Sequence, residues 1–129
     1  MSKTSISAGY IIAAILDSNE ALQELGITGV FPIVSEKDAI LPYISYQRTG
    51  LVQQPAKTGK GADTAQLTIT CFAADYEGSL QIAEAVREAL DGMTAEYDEM
   101  RMRSCVLENS TEDWANDVYI QELVFSVRI

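Results

Sequence analysis

The stretch over residues 64–90 constrains the fold more than any other part of the chain. Gln66, Leu67, Thr68, Ile69, Thr70 and Cys71 alternate polar and apolar side chains, the two-residue period of a half-buried strand. Immediately afterwards Leu80, Ala83, Val86 and Leu90, with Ile82 and Ala89 beside them, repeat at helical spacing. Asp75 stands at the junction where an N-cap belongs, and Gly92 lies just past the last apolar helical position, where a C-cap is expected. A half-buried strand feeding an amphipathic helix is a scaffold unit. It dictates how the chain packs and carries no chemistry of its own.

On the N-terminal side, residues 5–16 predict a helix whose buried stripe is Ile6, Tyr10, Ile11, Ala14 and Ile15. Asp17 and Glu20 have capping-box spacing, so a second short turn through Ala21, Leu22 and Leu25 is expected, closed by Gly26. One kinked helix and two separate ones fit the pattern equally. Residues 29–33 form a short apolar strand ending near Pro32, and residues 35–41 a charged loop. Pro42 then opens a strand with Ile44, Tyr46 and Arg48 on one face and Tyr43, Ser45 and Gln47 on the other. Residues 50–63, with three glycines, Pro55, Lys57 and Lys60, predict a long hairpin connection.

Beyond the organising unit the signal weakens. Residues 93–99 are acidic and poorly patterned. Residues 100–107 predict a strand with Arg101 and Arg103 on the same face as Cys105, and residues 108–117 a turn region of acids around Trp114. Residues 118–129 alternate as a final strand. The expectation is one domain over residues 1–129 of α+β class. Two helices would pack on one face of a mainly antiparallel sheet, in the order α-β-β-β-α-β-β.

Composition narrows function by exclusion. A formal charge of -10 argues against an open nucleic-acid groove, so no sequence-specific nucleic acid is expected as a partner. No apolar run approaches the roughly 18 residues of a membrane span, and no signal peptide is evident. Cys71 and Cys105 fall in strand patterns, too far apart for a CxxC pair, and are expected as buried free thiols of a cytosolic protein. Histidine is absent, which removes the commonest general base and the Ser-His and Cys-His nucleophile systems. Glu96, Asp98 and Glu99, or Glu112, Asp113 and Asp117, are carboxylate clusters without calcium-loop spacing; solvated surface is favoured over catalysis. The run from Lys57 to Gly61 lacks the first glycine and the Ser or Thr of a phosphate loop. No catalytic residue, metal or cofactor is therefore expected. The six tyrosines, Trp114 and the three phenylalanines divide between core and interface anchors.

Several segments taken together resemble a known family. They are the stretch Ala21-Leu22-Gln23-Glu24-Leu25-Gly26, the triplet Val30-Phe31-Pro32, the run Leu41-Pro42-Tyr43-Ile44-Ser45-Tyr46, and the helix ending Leu90-Asp91-Gly92. The chain is similar in these segments to the small tail-completion or tail-terminator proteins of long-tailed bacteriophages and prophages. The resemblance implies an α+β protein that assembles with itself as a ring, commonly a hexamer. Such a ring ends the tail tube and joins it to the head connector, forming in the cytoplasm and finishing in the virion tail. It makes Pro42, Tyr43, Tyr46 and the 50–63 connection structural or assembly positions. The candidate contacts are Tyr43, Tyr46, Leu51, Val52, Lys57, Lys60, Arg101, Arg103 and Trp114. The competing readings are an accessory interaction domain of another assembly, or a small enzyme or ligand-binding protein built on acids and tyrosines.

Overall fold

A computed structural model describes residues 4–53 and 63–129. After a 3-10 turn at Ser5–Ser7 come helices α1 (Gly9–Asp17) and α2 (Glu20–Glu24), then strands β1 (Val30–Pro32), β2 (Tyr43–Gln53) and β3 (Asp63–Ala73). Helix α3 (Tyr76–Leu90) follows, and the chain continues through β4 (Ala95–Tyr97), β5 (Met100–Met102), β6 (Ser104–Ala115) and β7 (Val118–Arg128). The main sheet has the order β1-β2-β3-β7-β6, and β4 with β5 forms a second, two-stranded sheet. β1 runs parallel to β2; the other pairs are antiparallel.

This corrects the expected architecture of two helices on one sheet. The described residues hold three helices and two sheets with seven strands. Each departure has a local cause. Asn19 rather than Asp17 caps α2: its side-chain oxygen accepts the Leu22 N–H at 3.0 Å, which starts a separate helix at Glu20 after α1 ends at Asp17. The acidic stretch after α3 is a hairpin whose turn residues Asp98 and Glu99 have φ of 48° and 71°, the left-handed pair of a tight primed turn. The same device, Asn116 and Asp117 at φ 52° and 64°, joins β6 to β7. The acidic segment expected as a turn over residues 108–117 is therefore strand through Ala115, with a turn only two residues long.

The organising unit forms as its sequence dictates. Ala65, Leu67, Ile69, Cys71 and Ala73 are the buried set of β3, and Asp75 accepts the Gly78 N–H at 2.9 Å to cap α3. A Cβ at position 78 would collide with that Asp75 carboxylate, so the cap and the glycine require each other. The buried stripe of α3 is Ser79, Ile82, Val86, Ala89 and Leu90, turned slightly from the expected one, which leaves Leu80 half-buried. With Ile11, Ile12, Leu16 and Leu22 from α1 and α2, these residues close over Ile44, Leu67, Ile69, Leu123 and Phe125 in one apolar cluster. Ile6 and Tyr10, expected in the helical stripe, are exposed instead, because the 3-10 turn interrupts the first helix and shifts its register.

Candidate assembly surfaces

The core occupies one face of the main sheet, and the alternate residues point the other way. Register places Tyr43, Phe72, Ile120 and Asp113 in one row across β2, β3, β7 and β6. The next row is Ser45, Thr70, Glu122 and Thr111, and the one after it Gln47, Thr68, Val124 and Asn109. This second face is thus aromatic and apolar at one end and polar over the rest. Tyr43 anchors the aromatic end: its ring lies 4.8 Å from that of Phe72 and 5.9 Å from that of Phe31, the latter edge-on at 76°.

Tyr46 belongs to the opposite face. It is half-buried against the core, in a cleft of about 370 Å³ lined by Ile6, Tyr10, Pro32, Ile33 and Arg48. Burial raises its phenol pKa first, and the neighbouring Tyr10, Asp17 and Tyr97 raise it further. The cleft contains exposed apolar side chains that the sequence did not mark as contacts, Ile6, Tyr10 and Ile33, and Val34 and Ile40 of the following loop are exposed as well. A signal was present, since Val34 and Ile40 stand on either side of the charged run 36–38 without belonging to an expected strand. Apolar side chains exposed in a loop are candidates for contact with a partner.

The remaining candidates scatter. Leu51 and Val52 are in β2, Leu51 packed on the core and Val52 exposed; the strand runs to Gln53, so the predicted connection is shorter than residues 50–63. Lys57 and Lys60 lie outside the described residues. Arg101 faces solvent in β5 with Glu96 3.9 Å away, a long and exposed pair. Arg103 is exposed as well, but Cys105 is fully buried, so these arginines do not share its face. The chain passes from β5 to β6 between them, where the Arg103 N–H donates to the Arg128 carbonyl at 2.7 Å, and the alternation changes phase. Trp114, 55% exposed, sits near the tip of the β6–β7 hairpin opposite Tyr119.

The carboxylates do structural work. Glu112 accepts hydrogen bonds from the Tyr76 hydroxyl at 2.9 Å and the Gln121 amide at 3.1 Å; that amide also donates to Ser79 Oγ at 3.2 Å. The network ties the start of α3 to β7 and β6. Its hydrogen bond to Glu112 is the main reason the Tyr76 phenol pKa is raised. No group of three His, Cys, Asp or Glu suited to a metal ion occurs among the described residues. Cys71 and Cys105 are buried free thiols, and burial pushes both pKa values up to about 12, so neither is a nucleophile near neutral pH.

Apolar patches, a sheet face with an aromatic end and carboxylates tied into hydrogen bonds describe surfaces for contact. A chain of the virion of a native gene transfer agent (GTA) particle has the same fold, with a TM-score of 0.83 at 20% identity, covering 97% of this chain and 98% of that one. No curated protein matches the sequence. The family model described as tail completion protein gp17 matches residues 10–129. Spanned almost end to end by that match, the chain belongs to the tail completion protein gp17 family, as a structural protein of a phage or prophage tail that works with tail-tube and head-joining components and is not an enzyme.

Proposed function

We propose that copies of this protein close into a ring, of six subunits as the family resemblance implies, that terminates the tail tube and presents a surface to the head connector. Assembly takes place in the host cytoplasm, before incorporation into the virion. The observation that carries the ring is the outer edge of β6, which among the described residues pairs only with β7 and is exposed from Glu108 through Ala115. An open edge beside an uncovered sheet face offers a repeated contact to a different surface of the next copy, and such heterologous contacts close a circle when the rotation permits. The charge of -10 suits a passage through which DNA moves without sticking.

Within this reading Tyr43 and Trp114 supply apolar contact at the joint. The positive charges of Lys57 and Lys60 complement the acidic hairpin of the next copy at Glu112, Asp113 and Asp117. Exposed ion pairs contribute only about 0.2–1 kcal/mol each, so these charges set register while apolar side chains supply affinity. The test is electron microscopy of purified protein over a range of concentrations, with and without tail tubes. Closed rings, free or capping tube ends, are expected. Protein that stays monomeric throughout and leaves tube ends bare would refute the ring. Removing residues 57–61 should abolish rings while leaving the monomer's melting temperature nearly unchanged.

A further inference from the structure

On the helical side of the molecule lies a cleft of about 1300 Å³, open to solvent, between α3 and the α1–α2 corner. Its floor is apolar: Ile15, Leu25, Leu80, Ala85, Ala89 and the exposed Met93. Its rim is acidic, with Glu20 and Glu24 from α2 and Glu77, Glu84 and Glu88 from α3, all exposed. No lysine or arginine lines it, and none of the five carboxylates pairs with a cation among the described residues. Two of the spacings, Glu20 to Glu24 and Glu84 to Glu88, are like-charge pairs one helical turn apart, which destabilise a free helix. The chain carries that repulsion around an apolar floor.

We propose that this cleft is a docking groove for a basic amphipathic helix of a partner protein in the tail or at its junction. Its size exceeds the usual range of small-molecule pockets, about 300–1000 Å³, and its length suits a helix. From Glu77 to Glu88 the rim extends about 16 Å along α3, or about three turns of an occupant. An apolar stripe on that occupant fills the floor while lysines or arginines flanking the stripe meet both acidic ridges, the helix-in-groove mode. A second copy does not supply the occupant: α1 and α2 carry no cation, and α3 carries only Arg87 among its acids. A divalent cation is not the occupant either, since no described carboxylates cluster closely enough to hold one.

The groove is independent of the ring, and one experiment keeps the two apart. A fluorescent peptide of about 14 leucines and lysines, patterned as an amphipathic helix, is titrated into the full-length protein at physiological ionic strength. A peptide of the same composition without a helical face serves as control. The patterned peptide should bind saturably at one per chain and the control at least about tenfold more weakly, because charge alone is screened at that salt. Glu84→Lys with Glu88→Lys, and separately Glu20→Lys with Glu24→Lys, should each weaken the patterned peptide about tenfold or more without changing the thermal melt. Met93→Asp should weaken it through the floor. Equal binding of the two peptides, or charge-reversed variants that melt normally and bind like the parent, would overturn the groove. Micrographs of the same variants separate the readings: rings that persist while peptide binding is lost leave the ring intact, and binding without rings leaves the groove intact.

Discussion

β3 and β6 flank the same strand, β7, and both pair with it along nearly its whole length, yet they are built differently. Every second residue of β3 from Ala65 to Ala73 is buried, whereas β6 is exposed at every position after Leu107. The difference is a second layer. α3 packs against β3, β7 and the start of β6, where Asp91 accepts the Leu107 N–H at 2.9 Å and the Cys105 carbonyl accepts the Gly92 N–H at 2.7 Å; further out on β6 the Tyr76 hydroxyl donates to Glu112 at 2.9 Å, a bond between exposed side chains. The ladder irregularity between Leu107 and Asn109 marks where the strand runs out from under its cover. β3 is held by burial; outer β6 is held by its ladder, its tight turn and the Glu112 network. Being a strand and being core are separate properties, and the face left over is available for contact.

The contrast can be broken from the covered side first. Leu90 is fully buried in α3, so Leu90→Ala should cost about 2–5 kcal/mol in chemical denaturation. A change below about 0.5 kcal/mol would mean that the covered half does not dominate stability. Asp75→Ala removes the cap of the same helix and should cost about 1 kcal/mol by the same measurement, with Asp75→Asn restoring most of it. Alkaline titration probes the layer chemically. Both thiol pKa values are raised by burial from 9.0 to about 12, so the neutral thiols favour the folded state fully below pH 9, and that contribution is lost as pH rises toward 12. The melting temperature of Cys71→Ala should therefore fall less steeply over that window than the parent's.

On the open side the effects shrink or change sign. Asp117→Gly relieves a left-handed backbone position in the β6–β7 turn and should raise stability by about 0.5–1 kcal/mol; a loss would show that the Asp117 side chain supports the turn. Trp114→Ala should alter stability by less than about 0.5 kcal/mol while impairing ring formation, read by sedimentation beside denaturation. A large stability loss there would erase the distinction between the two strands.

What the sequence made legible follows the same division. The alternation over residues 64–73 and the stripe over 80–90 were readable because each element has one apolar face pressed on a core. The outer half of β6 was hidden because nothing covers it: Glu108, Glu112 and Asp113 carry no alternation, and acids in a row resemble a turn. The Asn116–Asp117 turn was the available clue, since paired left-handed positions favour such residues between strands. The corner after α1 stayed open between one kinked helix and two, because the cap at Asn19 rather than Asp17 is a choice that hydrophobic periodicity does not register. Tyr43 and Tyr46 became contact candidates through the family resemblance, and the strand alternation set them on opposite faces, as the register does. The cleft by Ile6 and Ile33 and the acidic groove arise from elements distant in sequence, and no local window contains them.

The central position of β7 has a consequence for how the molecule comes into being. β2 and β3 are sequence neighbours and can zip together early, but the other edge of β3 must wait for β7, which begins at Val118, well downstream of the end of β3 at Ala73. On the ribosome, the β2–β3 hairpin and α3 emerge with that edge bare, and the sheet becomes continuous only when the final strand slots between β3 and β6. Completion of the fold is thus a late, long-range event, and a nascent chain halted before β7 is a species with an unsatisfied template edge. Pulsed hydrogen exchange during refolding should find amide protection in β2 preceding that in β7, whose amides would gain protection together with those of β6.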